Sequence, residues 1–116
     1  MAVKSSGPQL SDPRNIRQSW DLSREGIGRL LRVSAKTYER WEKGEAVPSP
    51  KHRASLAKLK EIEELGLLVY TPDGLKEFMR TPMTAFDGHS ALEMITLGQY
   101  ERVIAALAAD YEGLGY

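Results

Sequence analysis

The stretch "SREGIGRLLRVSAKTYERWEKG", Ser23 to Gly44, limits what this chain can fold into more than any other. Ser23 and Ser34 each stand just before a run of apolar residues at helical spacing, where a serine hydroxyl accepts from a first-turn amide. The first run, "REGIGRLL", gathers Ile27, Leu30 and Leu31, and the second sets Tyr38 and Trp41 three apart on one face. Only Arg32, Val33 and Ser34 lie between the runs, so the two helices must cross closely. Gly28 sits in mid-helix, where glycine costs about 1 kcal/mol relative to alanine, and a tight crossing is a packing reason for it. Val33 plugs the turn, and Gly44 ends the second helix as its C′ residue.

That arrangement leaves Ala35, Lys36, Thr37, Arg40 and Lys43 facing outward. Lys36, Arg40 and Lys43 fall at i, i+4 and i+7 in a chain whose net charge is zero. The zero conceals an asymmetry. Residues 11–60 hold 12 Lys+Arg against 6 Asp+Glu, while residues 61–116 hold 3 against 10. A basic half followed by an acidic half is the pattern of a protein with two partners, one of them a polyanion.

Cap, proline and glycine signals divide the rest of the chain. Residues 1–10 read as a flexible arm, and Ser11 or Asp12 caps a helix with Pro13 in its first turn and Ile16 and Trp20 inward. "EAVPSP" is a loop, and Ser49-Pro50 opens a helix with Leu56, Leu59, Ile62 and Leu65, which Gly66 is expected to stop. "LLVY" is open to a short strand, although one strand needs a partner. Thr71-Pro72 starts the next helix, with Leu75, Phe78 and Met79. Ser90 and Glu93 form a capping box ahead of "ALEMITL", and Gly98 ends that segment. "QYERVIAALAADY" is the last helix, and "EGLGY" is too rich in glycine to continue it. The fold class is all-α, in seven helical segments. Three spans follow: the arm 1–10, a helix-turn-helix domain 11–66, and a helical domain 67–116 with a flexible tail.

Several chemistries are excluded. There is no cysteine, hence no disulfide framework and no thiolate metal site. No apolar run approaches the roughly 18 residues of a membrane span and no signal peptide opens the chain, so a cytoplasmic protein is expected. "FDGHS" gathers Asp87, His89 and Ser90, but so tight a turn does not let the histidine lie between acid and nucleophile, and Ser90 serves better as a cap. His52 and His89 are the only histidines and are far apart in sequence, so no metal site is read. No phosphate-binding glycine loop or dinucleotide fingerprint is present, so no cofactor is expected and catalysis is not.

The outward cations have a use in a helix-turn-helix. The second helix of that motif enters the major groove of duplex DNA, where Arg and Lys reach guanine acceptors. Arg40, Lys36 and Lys43 are the candidates, with Ala35 beside them. Ser34 and Thr37 suit a phosphate or a thymine methyl, and Arg24 meets a phosphate near the positive end of its helix. Glu39 is out of place on such a face, and pairing with Lys43 four residues on accounts for it.

The run "LSREGIGRLLRVSAKTYERWEKGEAVPSP" resembles the Xre/Cro family of helix-turn-helix proteins. Arg32 departs from it, standing where that family usually has a glycine with positive φ. The later run "FMRTPMTAFDGHSALEMITLGQYERVIAALAADYEGLGY" resembles the C-terminal domain of the MbcA/ParS/Xre antitoxins, which pair with RES-type toxins. Met83 and Ala91 depart where asparagine and proline are common. The combined resemblance spans roughly residues 11–116 and implies an antitoxin with two tasks. The front domain represses its own promoter, as a homodimer within a hetero-oligomeric complex that lies on the nucleoid when bound to DNA. The rear domain binds an NAD-consuming RES toxin without binding NAD itself. Its terminal segment, Tyr111, Glu112, Gly113, Leu114, Gly115 and Tyr116, blocks the toxin's entrance. Two other readings stay open from the residues alone: a stand-alone regulator whose rear half dimerises or senses a ligand, and an interaction adaptor that binds no DNA.

Overall fold

The computed structural model describes residues 13–114. The arm 1–10, the Ser11/Asp12 cap and the last two residues, Gly115 and Tyr116, lie outside them. The regular structure among the described residues is all helical: α1 (Pro13–Ser19), α2 (Arg24–Leu31), α3 (Ala35–Glu42), α4 (Pro50–Val69), α5 (Pro72–Arg80), α6 (Ala91–Thr96) and α7 (Tyr100–Gly113). A single 3-10 turn, Thr84–Phe86, sits between α5 and α6. No strand occurs among them. None of these helices is long and apolar enough to cross a membrane.

The chain divides into two compact units, one ending at Lys60 and the other beginning at Glu61, so the division falls inside α4. It coincides with the change in charge sign at residues 60 and 61. In the first unit Ile16, Trp20, Ile27, Leu30, Leu31, Tyr38, Trp41, Leu56 and Leu59 are buried. The Tyr38 and Trp41 rings lie 5.9 Å apart, and the His52 ring is 5.4 Å from Trp41. In the second unit Leu75, Phe78, Met79, Phe86, Met94, Ile95, Val103 and Leu107 are buried, with Phe78 and Phe86 edge to face at 6.4 Å.

Two local expectations are corrected. Gly66 does not stop α4, which runs on to Val69 and takes in the segment that was open to a strand. A Cβ at Gly66 would lie 2.6 Å from Leu75 Cδ1, so the missing side chain is a packing space for α5 and not a terminator. The last helix does not end before the glycines. Tyr111, Glu112 and Gly113 are its final turn and Leu114 caps it, so the described part of that segment is helix and not a flexible tail. Gly113 is the terminal helical residue, where its loss of backbone freedom costs least.

Candidate functional site

The α2–α3 pair is built by its caps and by one missing side chain. Ser23 Oγ accepts from Gly26 N at 2.9 Å and Ser34 Oγ from Thr37 N at 3.0 Å, which satisfies orphan donors at both helix starts. A Cβ at Gly28 would stand 2.7 Å from the Val33 carbonyl oxygen, so the turn is seated directly on the glycine. The Val33 amide donates to Gly28 O at 2.9 Å. Arg32 keeps the left-handed backbone that the turn demands, at φ 60° and ψ 44°, although it is not glycine. Gly44 N donates to Trp41 O and Glu45 N to Arg40 O, a Schellman closure around Gly44 at φ 74°.

These devices hold the outer face of α3 toward solvent. Lys36, Arg40 and Lys43 are exposed, and Ala35 and Thr37 are half-buried. Ser34 and Thr37 are spent on the cap, since the Ser34 hydroxyl also donates to Thr37 Oγ1 at 3.0 Å. Arg24, Ala35, Lys36 and Glu39 share with Arg17 and Ser23 a depression of about 490 Å³ at the starts of α2 and α3.

Two carboxylates organise the cations of this face. Glu39 Oε2 is 2.9 Å from Lys43 Nζ, as the i, i+4 spacing predicts, and 4.0 Å from Arg24 Nη1. Its Oε1 is 3.9 Å from Lys36 Nζ. The Lys43 hydrogen bond holds the Glu39 carboxyl below its usual range, helped by the charges of Lys36 and Arg24. The same bond raises Lys43.

Glu42 has no counterpart in the sequence reading. Its side chain is only 3% exposed, and it accepts from Arg17 Nε at 2.6 Å and Arg24 Nε at 2.8 Å, tying α1, α2 and α3 together. This bond raises Arg24, whose Nη1 lies 4.0 Å from Glu39 Oε2. Arg40 makes no ion pair among the described residues.

In the second unit, Tyr111 is half-buried, whereas Glu112, Gly113 and Leu114 are exposed on the last turn of α7 and its cap. Gly115 and Tyr116 lie outside the described residues. The Tyr70 hydroxyl donates to Asp110 Oδ2 at 3.1 Å, which anchors α7 one residue before that turn. Ser90 and Glu93 form both arms of the capping box, at 3.1 and 2.8 Å. Asp87 pairs with Arg102 at 3.2 Å. No group of three His, Cys, Asp or Glu side chains is placed to hold a metal ion among the described residues.

No family model matches the chain. Its sequence is 25% identical over 93 residues to the mycobacterial cidal antitoxin MbcA of Mycobacterium bovis, across 80% of this chain and 82% of the relative. The same figures hold for MbcA of Mycobacterium tuberculosis. The fold matches a chain of the crystallised M. tuberculosis MbcT–MbcA toxin–antitoxin complex with a TM-score of 0.76. That match covers 93% of this chain and 97% of the other at 22% identity. By sequence and by fold, the chain is a homologue of the MbcA-type antitoxins.

Proposed function

We infer that this chain is an antitoxin that binds and silences a partner toxin through its acidic unit and represses its own operon by binding DNA through its basic unit. One observation carries the first half: the likeness to MbcA runs through both units, over 80% of the chain. The solved relative of the same fold comes from a toxin–antitoxin complex. The toxin is of the RES type that the sequence resemblance implies, an enzyme that consumes NAD. Blocking its entrance falls to the segment from Tyr111 to Tyr116, presented from the end of α7.

The DNA half rests on geometry. Lys36, Arg40 and Lys43 line the exposed side of an α3 braced by Glu42, Gly28 and the Arg32 turn. A second helix held in this way is the shape that enters a major groove, and a zero net charge does not prevent it when the cations are segregated. Domains 11–66 and 67–116 are the working limits of the two functions, and the DNA-bound form is a dimer within a larger complex.

Co-expression with the toxin encoded beside it tests the reading. The chain restores growth, co-purifies with the toxin and stops NAD loss in the purified mixture. The double variant Lys36→Ala/Arg40→Ala loses binding to the DNA upstream of its own gene while still restoring growth. Failure to restore growth refutes the antitoxin half. Unchanged DNA affinity in the double variant refutes the DNA half.

A further inference from the structure

We propose that Glu39 is a specificity-determining residue of the DNA-binding face: an internal anion that competes with phosphate for the cations of α2 and α3. The inference rests on the DNA-binding reading above and concerns the partly exposed carboxylate that three cations of that face surround. Glu39 is within 4.0 Å of three cations at once, Lys43, Lys36 and Arg24. Its side chain is 26% exposed, whereas those of Arg24, Lys43 and Lys36 are 40, 53 and 72% exposed. The carboxylate therefore lies beneath the cations it holds, and a polyanion approaching the face meets the cations first and Glu39 behind them.

The consequence depends on what the polyanion offers. Sequence-independent binding is made of phosphate contacts alone, and Lys36, Lys43 or Arg24 given to a phosphate is a cation taken from Glu39. The carboxylate is then left short of partners beside further negative charge. A groove of suitable sequence offers more. Lys36 and Arg40 find base acceptors there, and a carboxylate on the same helix face accepts from a cytosine amino group. Glu39 regains a donor only on such a sequence. It thus opposes every duplex and is compensated on few, which widens the gap between the right site and the wrong one.

The test compares the wild-type chain, Glu39→Gln and Arg40→Ala on two probes, the duplex upstream of its own gene and an unrelated duplex of equal length, across a salt series. Glu39→Gln is expected to bind the unrelated duplex about tenfold more tightly at low salt, with a log–log salt slope steeper by about one unit, as for one added phosphate contact. Its gain on the upstream duplex is smaller, so discrimination falls. Arg40→Ala lowers affinity for the upstream duplex more than for the unrelated one, and its salt slope on the unrelated duplex is not steeper than that of the wild type. Equal or weaker binding of Glu39→Gln to the unrelated duplex, with wild type still selecting its own upstream DNA, overturns the role of Glu39 and leaves DNA binding standing. If no version of the chain binds either duplex at low salt, the DNA-binding reading falls and this inference falls with it.

Discussion

Replacing Gly28 with alanine places two known effects in opposition at one atom. Alanine is the better helix former by about 1 kcal/mol, so an unhindered site would gain stability. At Gly28 the new Cβ lies 2.7 Å from the Val33 carbonyl oxygen, with the Ala35 amide nitrogen at 3.6 Å. The obstacle is backbone, and that backbone is fixed by the hydrogen bond that the Val33 amide donates to Gly28 O and by the Ser34 cap. Relief requires α3 to move off α2 by several tenths of an ångström, and overpacking of this kind costs about 1–3 kcal/mol. The net expectation is a loss of about 1 kcal/mol, or roughly 4–8 °C in Tm for a unit of this size. Gly113, also helical, is the internal control, because a Cβ there meets nothing within 4 Å. Gly113→Ala should be neutral to stabilising. Trp20 and Trp41 are the only tryptophans and both belong to the first unit, so their fluorescence during urea unfolding reports that unit specifically. Far-UV circular dichroism follows all seven helices. If Gly28→Ala unfolds at the same or a higher urea midpoint by tryptophan fluorescence, the close-crossing argument is wrong.

Two further outcomes can be checked on the same instruments. Arg32→Gly relieves a left-handed backbone that costs an ordinary side chain about 1–2 kcal/mol, less the entropy of a glycine in the unfolded chain, so the tryptophan-reported midpoint rises, by the equivalent of about 0.5–1 kcal/mol of stability; a fall would show that Arg32 contributes more through its side chain than the turn loses in strain. The Ser90 amide, followed by His89, holds the Glu93 carboxyl below its usual value of 4.5. A depressed carboxyl adds stability that is present above 4.5 and lost as pH falls through the lowered value. Glu93→Gln should therefore flatten the acid limb of the circular dichroism melting profile below pH 4.5, and an unchanged limb refutes the linkage.

Local signals were legible in the sequence because their partners are near in the chain. Ser23, Ser34, Thr71 and Ser90 cap the helices that follow them, each bonded three residues on. The Lys43–Glu39 pair is legible for the same reason. Gly66 was misread because its partner is Leu75, on another helix, and nothing in the string distinguishes a stopping glycine from a spacing one. The final turn of α7 was misread because a glycine count weighs composition, whereas the turn is anchored from elsewhere, through buried Val103 and Leu107 and the Tyr70–Asp110 bond. Glu42 is not legible because its partners, Arg24 and Arg17, are 18 and 25 residues away. An acidic residue following Trp41 on the inner side of an amphipathic helix was the available signal, since a carboxylate turned toward a core needs a cation.

The charge boundary and the structural boundary fall at the same peptide, between Lys60 and Glu61, inside an unbroken helix. A helix gives no local reason for surface charge to reverse there, because α4 keeps its apolar spacing through Leu56, Leu59 and Ile62 on both sides of the boundary. On the proposed function, the reversal follows from what each unit would have to avoid. A unit that meets phosphate gains from every added cation, whereas an acidic unit repels the same polyanion and stays free for a second partner. Electrostatics of this kind changes association rate and partner choice more than fold. Raising salt should therefore weaken DNA binding steeply and the contact with a toxin much less if that contact is centred on exposed apolar groups such as Leu114, which is 51% exposed. A chain that lost both activities in parallel with salt would not have the division of labour that its charge map describes.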